Sequence, residues 1–445
     1  MSGYLLTEAA TVEDWLAAGG GAGLAAADRM GSDAVIEVIR SARLRGRGGA
    51  GFPAGVKWAG VAGRPDGQDA YLVCNAAEGE PGTFKDRALL RANPYQLLEG
   101  MVIAAGAVGA RTAYVGIKES YGQEIQRLEQ AAAEMHERDL LGEVDLRIVT
   151  GPDDYLLGEE KALLEVIEGR DPLPRQLPPY IVGLHTDMGA GVGSGSVGYA
   201  TAFNPTVVNN VETLSHVPHI LREGADWFRS IGTEDSPGTM VFTVSGDVVR
   251  EAVVELPMGT PLAVLIHGVG EGMTDGEPLG FVFPGASNAP IPDRDLDVPM
   301  DFGSLAAYGS GLGSGGFIVG SSSACVVATA KTLADFLAIE SCGQCPPCKL
   351  GTATLADGLG ELDEPALDDV AAWILRVTDA NRCGLGAGAR NLVDGLLREF
   401  PGHVAEHLEG TCDRSRTVPL AKFVDHLPEA GRFVRDHRYF ERRRR

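Results

Sequence analysis

Apolar positions recur at helical spacing from Val12 to Leu24 and again from Ser32 to Arg45, with Ser32 or Asp33 suited to cap the second segment. A polar, glycine-rich break runs from Gly46 to Pro53. The compact apolar run Ala70 to Cys74 then reads as a buried strand and ends in a polar turn, Asn75 to Gly82. Helical periodicity returns at Pro94 to Gly109 and Gly122 to Arg138, and strand-type runs at Thr112 to Lys118 and Val144 to Thr150. Strands and helices alternating at this spacing predict an α/β layer domain.

Tyr155 to Lys161 leads into a further helix, followed by a proline cluster from Pro172 to Pro179. Gly189 to Gly198 carries almost no side-chain bulk and is predicted to be a mobile insertion. The run Asn209-Asn210-Val211-Glu212-Thr213 reads as a polar turn opening a helix. From Gly238 to about Ile318 the texture changes to short β-type runs at Met240 to Val244, Val253 to Leu256, Gly280 to Phe283 and Gly316 to Val319, around a helix-like piece near Leu262. That pattern predicts a small β-grasp-like module. Beyond Ala328 the pattern is helical, with Ala371 to Arg376, Ala389 to Phe400 and His403 to Glu409 completing a bundle. Three regions are expected: 1–237, 238–327 and 328–445.

A chain of 445 residues exceeds one ordinary core. Its 44% hydrophobic and 22% charged content are those of a water-soluble globular protein. A net charge of -23 disfavours nucleic acid as a partner, because phosphates would be repelled. No apolar run reaches membrane-spanning length, so direct membrane insertion is not expected. The basic end Arg442 to Arg445 reads as a solvated tail able to dock on an acidic partner. No apolar signal segment follows a basic start, so a cytoplasmic location with reduced thiols is expected.

Cys342, Cys345 and Cys348 form a C-x2-C-x2-C run, and Cys383 stands alone farther on. Three soft ligands brought to one point and closed by a distant fourth suit a cubane iron–sulfur cluster. A structural zinc site, which usually pairs two separate C-x2-C knuckles, is the competing reading. Cys74 and Cys325 sit in apolar surroundings and read as small core residues, while Cys412 has no assignment. The histidines show no ligand-like spacing. A cluster moves electrons one at a time, so the chain is expected to handle electrons.

Gly46-x-Gly48-x-x-Gly51 matches a dinucleotide fingerprint but lacks its context, since a helix rather than a strand precedes it. Arg47 and Lys57 flank bare backbone N–H groups, which suits a phosphate. Phe52 offers a ring for stacking, and the carboxylates Glu78, Glu80, Glu159 and Glu160 offer acceptors for ribose or ribityl hydroxyls.

These motifs, together with Lys57-Trp58, Glu78-Gly79-Glu80-Pro81-Gly82-Thr83-Phe84-Lys85-Asp86-Arg87, Gly158-Glu159-Glu160, Asn209 to Thr213 and Glu340 to Cys345, resemble the flavin- and NADH-binding 51 kDa (F-type) subunit of respiratory complex I, a module shared with NAD-linked formate dehydrogenases and hydrogenases. The likeness spans nearly the whole chain in the same order. It implies a non-Rossmann FMN-binding α/β domain, a β-grasp soluble-ligand-binding domain and a C-terminal helical bundle carrying a [4Fe–4S] cluster on Cys342, Cys345, Cys348 and Cys383. It also implies hydride transfer from NADH to FMN N5, then single electrons to the cluster, with no side chain needed as acid or base. By the resemblance, FMN would contact Gly46, Gly48, Lys57, Asn75, Glu78, Tyr155, Gly158, Glu159, Asn209, Asn210 and Thr213, while Glu80 and Glu160 would face NADH and Phe52 the adenine. The family's usual partners are a small [2Fe–2S] thioredoxin-like subunit and a larger iron–sulfur subunit.

The chain departs from the family pattern at the nucleotide entrance. Ala77 replaces an acidic residue, Leu177 stands where a lysine is common, and Gly60 stands where an aromatic is expected, although Tyr180 still offers a ring. These changes leave two readings open: an NADH-oxidising electron-input subunit, or a divergent paralogue that keeps FMN and cluster as a relay or assembly component with weak or no NADH turnover.

Overall fold

The computed structural model describes residues 3–186, 203–414, 416–420 and 422–443. The Gly189 to Gly198 stretch and the side chains of Arg442 to Arg445 lie outside this description. The chain divides into two compact units: Met1–Glu78 with Asp86–Thr239, and Gly79–Lys85 with Met240–Arg445.

The first unit is built on four strands, β1 (Tyr71–Ala76), β2 (Thr112–Lys118), β3 (Asp145–Gly151) and β4 (Thr206–Asn210), in the spatial order β3-β2-β1-β4. All three pairings are parallel. A parallel sheet has helices on its faces, so its strands read as near-continuous apolar runs. Leu72, Val73 and Cys74 on β1 are fully buried, which is why this strand is legible in the sequence. β4 is not: Thr206-Val207-Val208-Asn209-Asn210 is short and ends in two amides. The chain runs from β1 outward through β2 and β3, then returns to the other side of β1 as β4. The strand order therefore reverses between β1 and β4.

The predicted helix from Val12 to Leu24 is two helices, Val12–Ala17 and Ala22–Met30. Gly19 and Gly21 between them hold φ of 92° and 79°, the left-handed region that ends a helix. Trp15 sits where a Gly20 side chain would have to go, so the break is also set by packing. The next helix spans Ser32–Ser41 and is shorter than its apolar pattern, because Arg43 turns to φ 54°. Neither Ser32 nor Asp33 caps it. Gly31 occupies the cap position, and the Ser32 hydroxyl donates instead to the Gly106 carbonyl at 3.1 Å.

Helices Pro94–Val108 and Val211–Glu223 pack closely. Gly100 of the first lies against the Leu214 carbonyl of the second. On the second helix, His219 Nε2 meets Gln96 Oε1 at 3.0 Å, and burial together with Arg222 holds its pKa down to about 3. A depressed folded-state pKa contributes stability above the unfolded value near 6.5, lost as pH falls toward about 3. Urea unfolding free energy should therefore decline across that window by at most about 1.4 kcal/mol per pH unit from this group. His219→Gln should flatten that slope; an unchanged slope would show that the histidine does not carry it.

The second unit holds β5 (Thr239–Gly246, its first residue assigned to the first unit), β6 (Ala252–Pro257), β7 (Leu279–Pro284), β8 (Ile291–Pro292) and β9 (Gly316–Ser321) in the order β6-β5-β9-β7-β8. β5 pairs parallel with β9, and β7 antiparallel with β9 and β8. Met240, Phe242, Val244, Val282, Phe317 and Val319 form its core with Leu262, Leu265 and Ile266. The helix-like piece near Leu262 is a π-type turn, Val264–Val269. Helices Val326–Glu340, Pro346–Gly360, Glu364–Ile374, Leu385–Glu399 and Pro401–Leu408 follow. Near its end the chain makes a hairpin, β10 (Phe423–Leu427) and β11 (Arg432–Arg435), that the helical pattern does not anticipate. Among the described residues, no helix is long and apolar enough to cross a membrane.

Candidate nucleotide site and cysteine cluster

The register of β1 on β4 sets Cys74 beside Asn209 and Asn75 beside Asn210, at the carboxyl ends of adjacent parallel strands. In open α/β sheets that end, at the point where strand order reverses, is where ligands bind. Each amide is oriented by a protein partner. Asn75 Nδ2 donates to the Gly158 carbonyl at 2.7 Å, and its Oδ1 accepts the Ala77 N–H. Asn209 Oδ1 accepts Trp58 Nε1–H at 2.7 Å. Asn210 Nδ2 donates to Asp86 Oδ2 at 2.6 Å, while its Oδ1 caps the helix Val211–Glu223 through the Glu212 N–H. In the sequence Trp58 and Asp86 are visible only as parts of motifs. Their role in aiming these amides is a tertiary fact.

The glycine-rich loop is closed at its base. Gly46 N–H donates to the Phe52 carbonyl at 2.9 Å, and Arg45 Nε to the Gly51 carbonyl at 2.8 Å. It opens directly into the helix Ala54–Ala62, whose N-terminal end favours an anion. A Cβ on Gly48 would lie 3.2 Å from Asn210 Cβ, and one on Gly158 would lie 3.0 Å from the Ala77 carbonyl. Bare backbone, amides and a helix N-terminus thus gather at the switch point, a donor set that fits a phosphorylated flavin.

Arg47 sits differently from a phosphate clamp. Its side chain is fully buried and donates to the carbonyls of Thr239, Arg45 and Pro237, and its own N–H goes to Thr213 Oγ1 at 2.8 Å. Burial lowers its pKa from the usual arginine value, and Glu212 opposes this. Thr213 is thus tied to the loop's backbone. Lys57 Nζ reaches Glu160 Oε1 at 2.5 Å and the Val208 carbonyl at 2.9 Å. Glu78 is buried, accepting the Asp86 N–H and facing Arg87 Nε at 3.4 Å. Glu159 caps the helix Glu160–Ile167 by accepting the Lys161 and Ala162 N–H groups. Burial raises its pKa, while Lys161 and the two N–H groups oppose the rise. Tyr155 opens the turn Tyr155–Gly158. Phe52 and Tyr180 are more than half exposed, at 51% and 57%. Leu177 is exposed, and Gly60 faces open space.

Glu80 belongs to the second unit, where it accepts the Ala286 N–H at 3.0 Å and the Ser314 hydroxyl at 2.5 Å. Burial raises its pKa against those hydrogen bonds.

The cysteine cluster also lies in the second unit. Cys342 follows the helix Val326–Glu340, Cys345 is the N-cap residue of Pro346–Gly360, and Cys348 lies in that helix's first turn. Cys383 precedes the helix Leu385–Glu399. Cys345 Sγ accepts the Arg382 backbone N–H at 3.3 Å, which brings the Cys383 loop to the other three. Ser341 Oγ lies 3.6 Å from Cys348 Sγ. Burial, then the neighbouring Cys345 and Cys342, raises the Cys348 pKa. Thiols that repel one another as anions are ligands that a cationic iron core satisfies.

Two family models match the chain: the Nuo51 FMN-binding domain over residues 39–219 and the NADH-ubiquinone oxidoreductase-F iron-sulfur binding region over residues 328–407. The second F-type subunit of the NADH-quinone oxidoreductase of Rhizobium meliloti is 40% identical over 393 residues, covering 85% of this chain and 89% of the relative. The HndC subunit of the NADP-reducing hydrogenase of Solidesulfovibrio fructosivorans is 36% identical, covering 88% of this chain and 81% of the relative. A chain of an NAD+-reducing [NiFe]-hydrogenase, solved in its H2-reduced state, superimposes with a TM-score of 0.76 at 32% identity, over 91% of this chain and 67% of that one. The fold and paired sites define a flavin- and iron–sulfur-dependent electron-transfer subunit. The chain belongs to the family of F-type subunits of NADH-quinone oxidoreductases, which embraces related hydrogenase subunits.

Proposed function

We propose that this protein is the electron-input subunit of a multi-subunit oxidoreductase, taking hydride from NADH and passing electrons to a partner through its cluster. The observation that carries the reading is the convergence of Asn75, Asn209 and Asn210 at the β1/β4 switch point, beside the glycine-rich loop. FMN, when bound, accepts a hydride and releases electrons singly. Gly46, Gly48 and Gly51 would line its phosphate side, braced from within by Arg47 and Thr213. Asn75, Glu78, Tyr155, Gly158, Glu159, Asn209 and Asn210 would surround the rest, with Lys57 holding Glu160 toward the nicotinamide nucleotide. Phe52 and Tyr180 would supply exposed rings for its adenine.

In this reading residues 1–237 carry flavin and nucleotide, 238–327 form the β-grasp-like spacer, and 328–445 hold the cluster on Cys342, Cys345, Cys348 and Cys383. The partners would be a [2Fe–2S] thioredoxin-like subunit and a larger iron–sulfur subunit, in a complex on the cytoplasmic side of the membrane.

Anaerobic titration of the FMN- and iron-loaded protein with NADH tests the proposal. Bleaching of the flavin band is expected; none at millimolar NADH would favour a relay or assembly role instead. Leu177→Lys should tighten the NADH titration about tenfold, roughly 1.4 kcal/mol, by restoring a cation to the nucleotide entrance. An unchanged midpoint would remove Leu177 from the nucleotide's surroundings.

A further inference from the structure

Cys325 and a pair some eighty residues farther on, His407 and Cys412, meet in the second unit with their ligand atoms all within 4.8 Å of one another. Cys325 Sγ lies 3.1 Å from His407 Nε2. Sequence pattern alone places Cys325 in the core, gives Cys412 no role and shows no ligand-like spacing among the histidines. The fold builds the trio in steps. Cys325 is the N-cap of the helix Val326–Glu340, and its sulfur accepts the Ala328 N–H at 3.3 Å. A helix N-terminus favours a thiolate. Burial raises the Cys325 pKa, the Ala328 N–H opposes the rise, and the neighbouring Cys412 adds to it. His407 lies in the last turn of the helix Pro401–Leu408. Gly410, at φ 64°, turns the chain back so that the Thr411 and Cys412 N–H groups both donate to the Glu406 carbonyl. The following residues run beside the start of the first helix, where Cys325 N–H donates to the Arg416 carbonyl at 2.8 Å.

We propose that Cys325, His407 and Cys412 bind one borderline-soft divalent ion of the zinc class, distinct from the iron–sulfur cluster. Two ligands about 2.0–2.3 Å from a tetrahedral centre lie roughly 3.5–4 Å apart, so a trio of this compactness surrounds a single ion. Two sulfurs and an imidazole select zinc-like ions over magnesium or calcium, which require oxygen ligands. Binding displaces the two thiol protons to solvent, and no oxidant or reductant enters. A water molecule would complete the tetrahedron.

The ion would clasp the segment leading to the β10–β11 hairpin onto the helix Val326–Glu340, whose other end leads into Cys342. It would therefore stiffen the support of the cluster without touching it. The inference stands apart from the proposed NADH chemistry and does not depend on it.

The test uses anaerobically purified, FMN- and iron-loaded protein from zinc-supplemented cells. Elemental analysis should give about one zinc per chain. Zinc-edge X-ray absorption, blind to iron, should show two sulfurs at about 2.3 Å and one nitrogen near 2.0 Å. Cys412→Ala and Cys325→Ser should each lose the zinc while iron and FMN contents stay unchanged, and hydrogen exchange over residues 410–414 should rise. Absence of zinc, zinc retained by both variants, a four-sulfur shell, or a Cys325–Cys412 disulfide in the anaerobic protein would each overturn the proposal.

Discussion

Cys345→Ala is expected to strip the iron, from about four atoms per chain to fewer than one, while FMN stays bound. Cys345 supplies no side-chain cap to the helix Pro346–Gly360 and is only partly buried, so truncation removes a ligand without opening the core. It also removes the acceptor for the Arg382 N–H, a hydrogen bond that ties the Cys383 loop to Cys345. Flavin bleaching by NADH should survive, because the residues named for the flavin lie in the first unit. Reduction of a one-electron acceptor through the cluster should fall at least about a hundredfold. Iron analysis with paired flavin and acceptor assays checks this. A variant that keeps its iron would exclude Cys345 as a ligand.

The second large effect is on stability. In Gly100→Ala the new methyl would lie 2.0 Å from the Leu214 carbonyl oxygen, and backbone cannot yield as a side-chain tip does. The two helices must separate, at about 1–3 kcal/mol and toward the upper end of that range. Helix Val211–Glu223 begins at the Asn210 cap and carries Thr213, so displacing it should also weaken FMN retention. Gly106→Ala, on the same helix as Gly100 and in open space, should be neutral or stabilise by up to about 1 kcal/mol. Urea midpoints of the two variants give the comparison. A Gly100→Ala midpoint as high as that of Gly106→Ala would show that the contact is not rigid.

Where sequence pattern and fold part company, the reasons are local. The helix break at Gly19–Gly21 is hidden because apolar residues continue on both sides of it, and the two positive φ values leave no mark on hydrophobic periodicity. β4 escapes notice because five residues ending in two asparagines resemble a turn. Arg47 resembles a phosphate ligand because charge beside glycines suggests one. In the fold three carbonyls take its guanidinium inward, and nothing in the local sequence announces that.

The sequence by itself determined what short spacing can carry. It specified the C-x2-C-x2-C run, the glycine-rich loop, the first three strands of the α/β domain and, through motifs in order, the family. Ligand spacing within one turn and apolar runs within one strand are set by covalent geometry over a few residues. Tertiary structure decided everything that depends on chain return. It brought β4 to the far side of β1 and so created the switch point, turned Asn209 and Asn210 toward Trp58 and Asp86, and set Cys325 against the turn that carries His407 and Cys412. Such contacts arise from packing between distant segments, and no local pattern encodes them.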